Sequence, residues 1–291
     1  MTLLEVLQST TDYFKKRGIE STRLNAEHLL AHALKRKRIE LYLEFERGLR
    51  EEELMPLREL VKRRGQGEPL QHLLGTVEFA GHTFLCDKRA LVPRPETEQL
   101  VELVQSKIAV TQPAQQARPG FQNRQSKILD VGTGSGVIAL SLAAKLPEAK
   151  ITATDLSDDA LSLARENADR LGLTDRVEFC RSDLLTSVIH VYDVIVANLP
   201  YVPAGDRRTL SREVLRDPEI AVFGGERGDE IVRKLIEAAP SHLAPGGLLA
   251  LEVGIGQADD LAALMAEKNY HDIETERDYA GVIRFLFGRY G

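Results

Sequence analysis

The chain has 291 residues, 43% of them apolar and 28% charged, ordinary globular proportions that exclude disordered, collagen-like and low-complexity classes. At about 150 residues per domain this length suggests two compact units. A net charge of -6 argues against a protein whose main work is neutralising nucleic-acid phosphates.

No apolar run approaches the roughly 18 to 20 residues of a membrane span, and the opening MTLLEVLQSTTDYFKKRG lacks the basic-then-apolar order of a signal peptide. A cytoplasmic protein with no membrane partner is therefore expected. Cys86 and Cys180 are too few for a disulfide framework or a cysteine-built zinc site, and both are expected as buried apolar side chains. Charge is uneven along the chain: residues 1–86 hold 14 Lys/Arg against 13 Asp/Glu, and the remainder 24 against 31.

The first 65 or so residues read as short helices. Thr2 and Glu5 have capping-box spacing, and Ser21 precedes a helical stripe of Ala26, Leu29, Leu30, Ala33 and Leu34. Further helices are predicted over Ile39–Glu46 and Glu52–Arg64, the second stopped by Gly65-Gln66-Gly67. The basic run Lys35-Arg36-Lys37-Arg38 lies between two of them, either as a solvated helix end or as a contact for an acidic or RNA-containing partner. His28 and His32 stand four apart, but Leu29 occupies the place of a zinc-protease glutamate, so a solvated pair and no metal is expected.

Val77, Phe79, Phe84 and Leu85 around Ala80-Gly81-His82 suggest a hairpin within Leu73–Val92. The division expected is a helical substrate-recognition domain over 1–72, a hairpin linker over 73–92 and a larger domain over 93–291. Pro93-Arg94-Pro95-Glu96-Thr97-Glu98 opens a helix running through Leu100, Val101, Leu103 and Val104, and Thr111–Ser126 reads as a surface loop.

From Lys127 onward strands alternate with helices. Strands are predicted over Ile128–Val131, Ile151–Thr154, Val177–Phe179, Tyr192–Ala197 and Leu248–Val253, with helices over Val137–Leu146, Asp158–Leu171 and Asp229–Leu243. A closing strand pair follows over Tyr270–Thr275 and Val282–Phe287. This order implies right-handed crossovers and a doubly wound, mostly parallel α/β sheet.

Strand Ile128–Val131 runs through Gly132-Thr133-Gly134-Ser135-Gly136 directly into a helix, the place where a nucleotide-like ligand meets backbone N–H groups. The dinucleotide pattern G-x-G-x-x-G fails, since Gly136 comes one place early and Val137 takes the third glycine's position; no Lys-Ser/Thr follows to make a Walker loop. Asp155 ends the next strand, where a carboxylate accepts ribose hydroxyls, or else caps the following helix. Asp183 follows the third strand, placed to receive an adenine amino group with Leu184 against the ring, or as a plain loop residue. This order of glycines, Asp155 and Asp183 resembles the S-adenosylmethionine site of Rossmann-like methyltransferases.

The fourth strand ends in Asn198-Leu199-Pro200-Tyr201, either an ordinary turn or part of a site at the sheet's carboxyl edge. It resembles the (Asn/Asp)-Pro-Pro-(Tyr/Phe) motif of methyltransferases acting on planar nitrogens. Such a nitrogen has a delocalised lone pair, and acceptors on its hydrogens return electron density to it. The Asn198 side-chain oxygen and the Leu199 carbonyl are the candidate acceptors, with Tyr201 against the planar group. Leu199 in place of the first proline is the form found in enzymes that dimethylate ribosomal RNA adenines.

The whole chain resembles the HemK/PrmC family of protein-(glutamine-N5) methyltransferases. The matches are Pro69–Gly75, Leu91–Glu98, Asp130–Gly136, Asn198–Tyr201 and Leu251-Glu252-Val253-Gly254 with Gln257. The resemblance implies transfer from S-adenosyl-L-methionine to the Gly-Gly-Gln glutamine of peptide chain release factors, with S-adenosyl-L-homocysteine as product and no direct nucleic-acid substrate. It further implies that Gly132, Thr133, Gly134, Ser135, Gly136, Asp155, Leu184 and Asn198 bind the cofactor, that Asn198, Leu199, Pro200 and Tyr201 hold the glutamine, and that Arg94 and Glu96 shape the pocket's lid. The rival reading is a nucleic-acid methyltransferase acting on an exocyclic adenine or guanine amine. The acidic balance after residue 86 counts against it.

Overall fold

A computed structural model describes residues 1–116 and 126–291. Two compact units result: residues 1–76 with 211–216, and residues 77–210 with 217–291.

In the first unit Thr2 closes the expected capping box for α1 (Leu3–Lys16): its hydroxyl accepts the Glu5 N–H at 3.2 Å and Glu5 accepts the Thr2 N–H at 2.9 Å. Ser21 does not cap α2 (Thr22–Leu34). Its backbone is left-handed at φ 46°, which turns the hydroxyl away from the helix's first N–H groups. The helix predicted over Ile39–Glu46 shrinks to α3 (Arg38–Leu41). The carbonyls of Phe45 and Arg47 instead accept the N–H groups of Leu4 and Leu3, satisfying free donors at the start of α1.

Helices α4 (Glu51–Gly65) and α5 (Leu70–Leu74) complete a bundle around Leu3, Leu7, Phe14, Leu29, Leu30 and Leu57. Buried Arg64 donates to Asn25 Oδ1 at 2.7 Å and pairs with Glu213, which fixes residues 211–216 to this unit. The run Lys35–Arg38 is exposed, with Arg36 3.6 Å from Glu44 and Arg38 3.8 Å from Glu27.

The expected hairpin is β1 (Thr76–Phe79) and β2 (His82–Leu85), with Phe79 and Phe84 edge to face. Helix α6 spans Pro95–Gln116. It therefore continues through Thr111–Gln116, where a loop was expected; the rest of that loop, residues 117–125, lies outside the described residues.

The α/β core follows as β3 (Lys127–Val131), α7 (Val137–Lys145), β4 (Lys150–Asp155), α8 (Asp158–Arg170), β5 (Val177–Arg181) and β6 (Tyr192–Asn198). After short strands β7 (Val202–Pro203) and β8 (Phe223–Gly225) come α9 (Glu230–Ala238), β9 (Leu243–Glu252), α10 (Ala258–Glu267), β10 (Tyr270–Arg277) and β11 (Ile283–Tyr290). Helix α10 went unassigned in the sequence, although Leu261, Leu264 and Met265 give it a buried face. Cys86 is buried, but Cys180 is half-buried because β5 is an edge strand.

The seven-stranded sheet has the order β10-β11-β9-β6-β3-β4-β5, parallel from β9 to β5, with β11 antiparallel to both β9 and β10. Alternate residues divide between two cores: Ile128, Val194 and Val196 face one helical layer, Leu129, Ile195 and Ala197 the other. The chain leaves β3 toward β4 and β5, then returns to β6 on the other side of β3. Strand order thus reverses between β3 and β6, and a doubly wound sheet opens its ligand crevice at that point.

Candidate active site

The loop after β3 follows from its glycines. Gly132, Gly134 and Gly136 have φ of 74°, 57° and 84°, a left-handed region that side chains resist. Their neighbours are also close: a Cβ on Gly132 would stand 2.8 Å from Leu199 Cδ2, and one on Gly136 3.1 Å from Ala164 Cβ. Asp130, fully buried before the loop, ties it to α7. Its Oδ2 accepts the Thr133 hydroxyl at 2.6 Å and the Ala139 N–H at 3.1 Å. Burial pushes this carboxyl up to about 7.

Asp155 closes the far side of the loop, accepting the Gly134 N–H at 2.8 Å and the Ser157 N–H at 2.9 Å. The cap of α8 is Ser157, whose hydroxyl accepts the Ala160 N–H, so Asp155 is not spent on that task. Burial raises the Asp155 carboxyl despite these bonds. The Leu156 N–H also favours the charged form, and of the carboxylate's four lone-pair sites at least one stays open to a further hydroxyl.

A cavity of about 270 Å³ covers the carboxyl ends of β3, β4 and β6. Gly132, Thr133, Gly134, Ser135, Asp155, Asp183, Leu184, Asn198, Leu199, Pro200 and Arg94 line it. Leu184 enters its wall with φ 48°, a strained conformation for a leucine. Gly136, Glu96 and Tyr201 are not among its lining residues. Gly136 starts α7, while Tyr201 sets its hydroxyl 3.4 Å from Glu252 Oε1 and its ring beneath the Arg284 guanidinium. Burial and the Glu252 charge push the Tyr201 phenol up to about 12.

The glycine cradle that a Cβ would fill, and the carboxylate with a spare lone pair, fit the sugar and backbone of a nucleoside-containing methyl donor. The Asn-Leu-Pro-Tyr loop lies beside them because Val131 and Ala197 are register partners on β3 and β6. Asn198 Nδ2 donates to Thr97 Oγ1 at 3.0 Å, and the Thr97 hydroxyl donates to Glu252 Oε2 at 2.8 Å. Among the described residues no donor reaches Asn198 Oδ1, which belongs to a cavity-lining side chain.

The loop is held from behind by groups the sequence reading gave no role. Gln257 donates to the Tyr201 carbonyl at 3.0 Å and accepts the Gly254 N–H at 2.8 Å. Gly224 packs so closely that a Cβ would lie 2.4 Å from the Pro200 carbonyl oxygen. Buried Asp217 accepts from Arg94 at 2.8 Å and from the Val92 N–H at 3.2 Å, fixing the Pro-Arg-Pro approach to α6. One signal was available: Glu252 is a lone carboxylate ending an apolar strand, and such a buried acid needs partners. Burial and the nearby Glu96 charge push it up to about 7, against the Thr97 bond and the Arg284 charge.

A reversed doubly wound sheet, a glycine loop at its switch point and the Asn-Leu-Pro-Tyr loop on the adjacent strand define a Rossmann-like methyltransferase. Family models agree: residues 5–75 match the PrmC N-terminal domain and residues 117–257 the methyltransferase small domain. The chain is 38% identical to the release factor glutamine methyltransferase of Chlorobaculum tepidum over 98% of this chain and 96% of that one. It is 39% identical to that of Deinococcus radiodurans over 99% of both. The chain belongs to the release factor glutamine methyltransferase family. Among solved structures, the hMettl16 catalytic domain in complex with a MAT2A 3'UTR hairpin superposes with a TM-score of 0.58 at 16% identity, covering 81% of this chain and 82% of that one, a likeness of fold.

Proposed function

We propose that this protein transfers a methyl group from S-adenosyl-L-methionine to the side-chain amide nitrogen of the Gly-Gly-Gln glutamine of peptide chain release factors, in the cytoplasm, leaving S-adenosyl-L-homocysteine. The observation that carries the reading is the Asn198 carboxamide. The side chain lines the cavity, its nitrogen is tied to Thr97, and no donor among the described residues takes its oxygen, one residue from the Leu199 carbonyl. Relatives of that name, matching over nearly the whole chain, support the substrate class.

In this reading the bound donor supplies an electrophilic sulfonium methyl. The glycines Gly132–Gly136 let the backbone approach it, Asp155 accepts its ribose hydroxyls, Asp183 takes the adenine amino group and Leu184 packs on the ring. Asn198 Oδ1 and the Leu199 carbonyl accept the two amide hydrogens of the glutamine. Electron density returns to the nitrogen as it attacks, so the acceptors strengthen their hold as positive charge develops. No strong base is needed, because the proton becomes acidic only after alkylation and passes to water. Pro200 sets the loop's course, Arg94 borders the entry, and the N-terminal helical part recognises the release factor.

The test is transfer of labelled methyl to purified release factor, with the same factor carrying Gly-Gly-Ala and with ribosomal RNA in parallel. Label on the intact factor alone is expected. Label on RNA instead would overturn the reading in favour of a nucleic-acid amine.

A further inference from the structure

Thr97, Asn198 and Glu252 come from the start of α6, the end of β6 and the end of β9, and Asn198 and Glu252 are register partners on adjacent parallel strands. The Thr97 hydroxyl sits between the other two, 2.8 Å from Glu252 Oε2 and 3.0 Å from Asn198 Nδ2. A hydroxyl has one hydrogen to give. When Glu252 is a carboxylate it can only accept, so the hydrogen of Thr97 goes to it and Thr97 presents a lone pair to Asn198. Only the NH₂ end of the Asn198 amide can answer that lone pair. The carboxamide oxygen must then face the cavity.

We infer that Glu252 is a positioning residue for methyl transfer: acting through the Thr97 hydroxyl, it decides which end of the Asn198 carboxamide is offered to the substrate. The inference rests on the proposed role of Asn198 Oδ1 as an acceptor for the substrate's N–H. Glu252 is not among the cavity's lining residues, so it acts on the reaction through the groups it holds: Thr97, and through it Asn198, at 2.8 Å, and more loosely the Tyr201 hydroxyl at 3.4 Å.

The relay has a direction, and a proton reverses it. A neutral Glu252 can donate to Thr97, which frees the Thr97 hydrogen for Asn198 Oδ1 and lets the amide turn its NH₂ to the cavity. Donor then meets donor, and the substrate amide loses an acceptor. The groups facing Glu252 are Thr97 and Glu96 on α6, the Tyr201 hydroxyl on the loop and Arg284 on β11, itself 3.6 Å from Asp278. Burial and Glu96 favour the neutral form, while Thr97, Tyr201 and Arg284 favour the carboxylate. The balance holds this acid close to neutral pH, where the relay can change state.

The experiment compares wild type with Glu252→Gln, Thr97→Val and Thr97→Ser, each checked for its melting temperature and for binding of S-adenosyl-L-homocysteine. Glu252→Gln removes the carboxylate that imposes the direction, and kcat toward release factor is expected to fall about a hundredfold, the order seen when one oriented polar group is lost from a transition-state site. Product-cofactor affinity stays within about twofold. Thr97→Val keeps the shape but lacks the hydroxyl and is expected to match that loss, whereas Thr97→Ser keeps the hydroxyl and retains a rate within about threefold of wild type. A packing role for Thr97 predicts the opposite order, with valine tolerated better than serine.

The wild-type kcat should fall about tenfold per pH unit below about 7 on protonation of one group, and this limb should be absent in Glu252→Gln. A folded Glu252→Gln or Thr97→Val enzyme with kcat near wild type overturns the inference; should Glu252→Gln not fold, the Val/Ser order at position 97 decides. Absence of transfer by the wild type counts against the proposed function instead, so the two failures are separate.

Discussion

Gln257 reaches across from the turn after β9 to donate to the carbonyl of Tyr201 at 3.0 Å, while its own oxygen accepts the Gly254 N–H at 2.8 Å. One carboxamide thereby ties the Asn-Leu-Pro-Tyr loop to a neighbouring strand end. Loop position depends on it, since both bonds hold backbone that no ladder satisfies. Gln257→Ala should lower kcat about tenfold, the equivalent of one to two lost hydrogen bonds, with cofactor affinity unchanged. Single-turnover rates and a cofactor titration check this.

Gly224 has an ordinary backbone but no room. A Cβ there would meet the carbonyl oxygens of Gly228 at 2.1 Å and Pro200 at 2.4 Å. Gly205 meets nothing within 4 Å. Gly224→Ala should therefore displace the loop and abolish most transfer, with a destabilisation of roughly 1–3 kcal/mol from overpacking; Gly205→Ala should match wild type in melting temperature and rate. Equal behaviour of the two variants would contradict this.

Asp155 and Asn198 line one cavity but are proposed to serve different partners. Asp155→Ala removes the acceptor of two backbone N–H groups and of a sugar hydroxyl, so cofactor affinity should fall about a hundredfold. Asn198→Ala should leave that affinity within a few fold and abolish transfer. Calorimetry with S-adenosyl-L-homocysteine and a methyl-transfer assay separate the two losses.

Asp130 gives the fold a pH dependence whose sign follows from its burial. Its carboxyl is raised to about 7, so the folded state prefers it protonated. The associated stability is present at low pH and is lost as pH rises through about 7. Asp130→Asn stays neutral and keeps an acceptor for Thr133 or Ala139. Relative to wild type, its melting temperature should climb between pH 5 and pH 8. Parallel curves for the two proteins would show that Asp130 does not titrate in that window.

Local pattern in the sequence determined much of this protein. Short apolar runs placed β3, β4, β6 and β11 within a few residues of their observed bounds, the Thr2–Glu5 box placed the start of α1, and glycine spacing placed the turn into α7. These features depend on neighbours in the chain, and local chemistry suffices to read them. Where a residue's partner is remote, the same reading failed. The Ile39–Glu46 helix stops early because carbonyls from residues 45 and 47 serve α1.

The site divides in the same way. Asp155, the glycines and the Asn-Leu-Pro-Tyr loop were legible because each lies at a strand end, where such a sheet binds its ligands. That the glycines and the Asn-Leu-Pro-Tyr loop become neighbours, with Asp155 on the glycines' other side, was decided by strand order, which runs β6-β3-β4 in space and not in sequence. The Glu252–Thr97–Asn198 relay joins positions up to 155 apart in the chain. No local pattern records which hydroxyl a buried carboxylate will meet, because only the packed sheet excludes water and forces each buried polar group to find its partner within the protein.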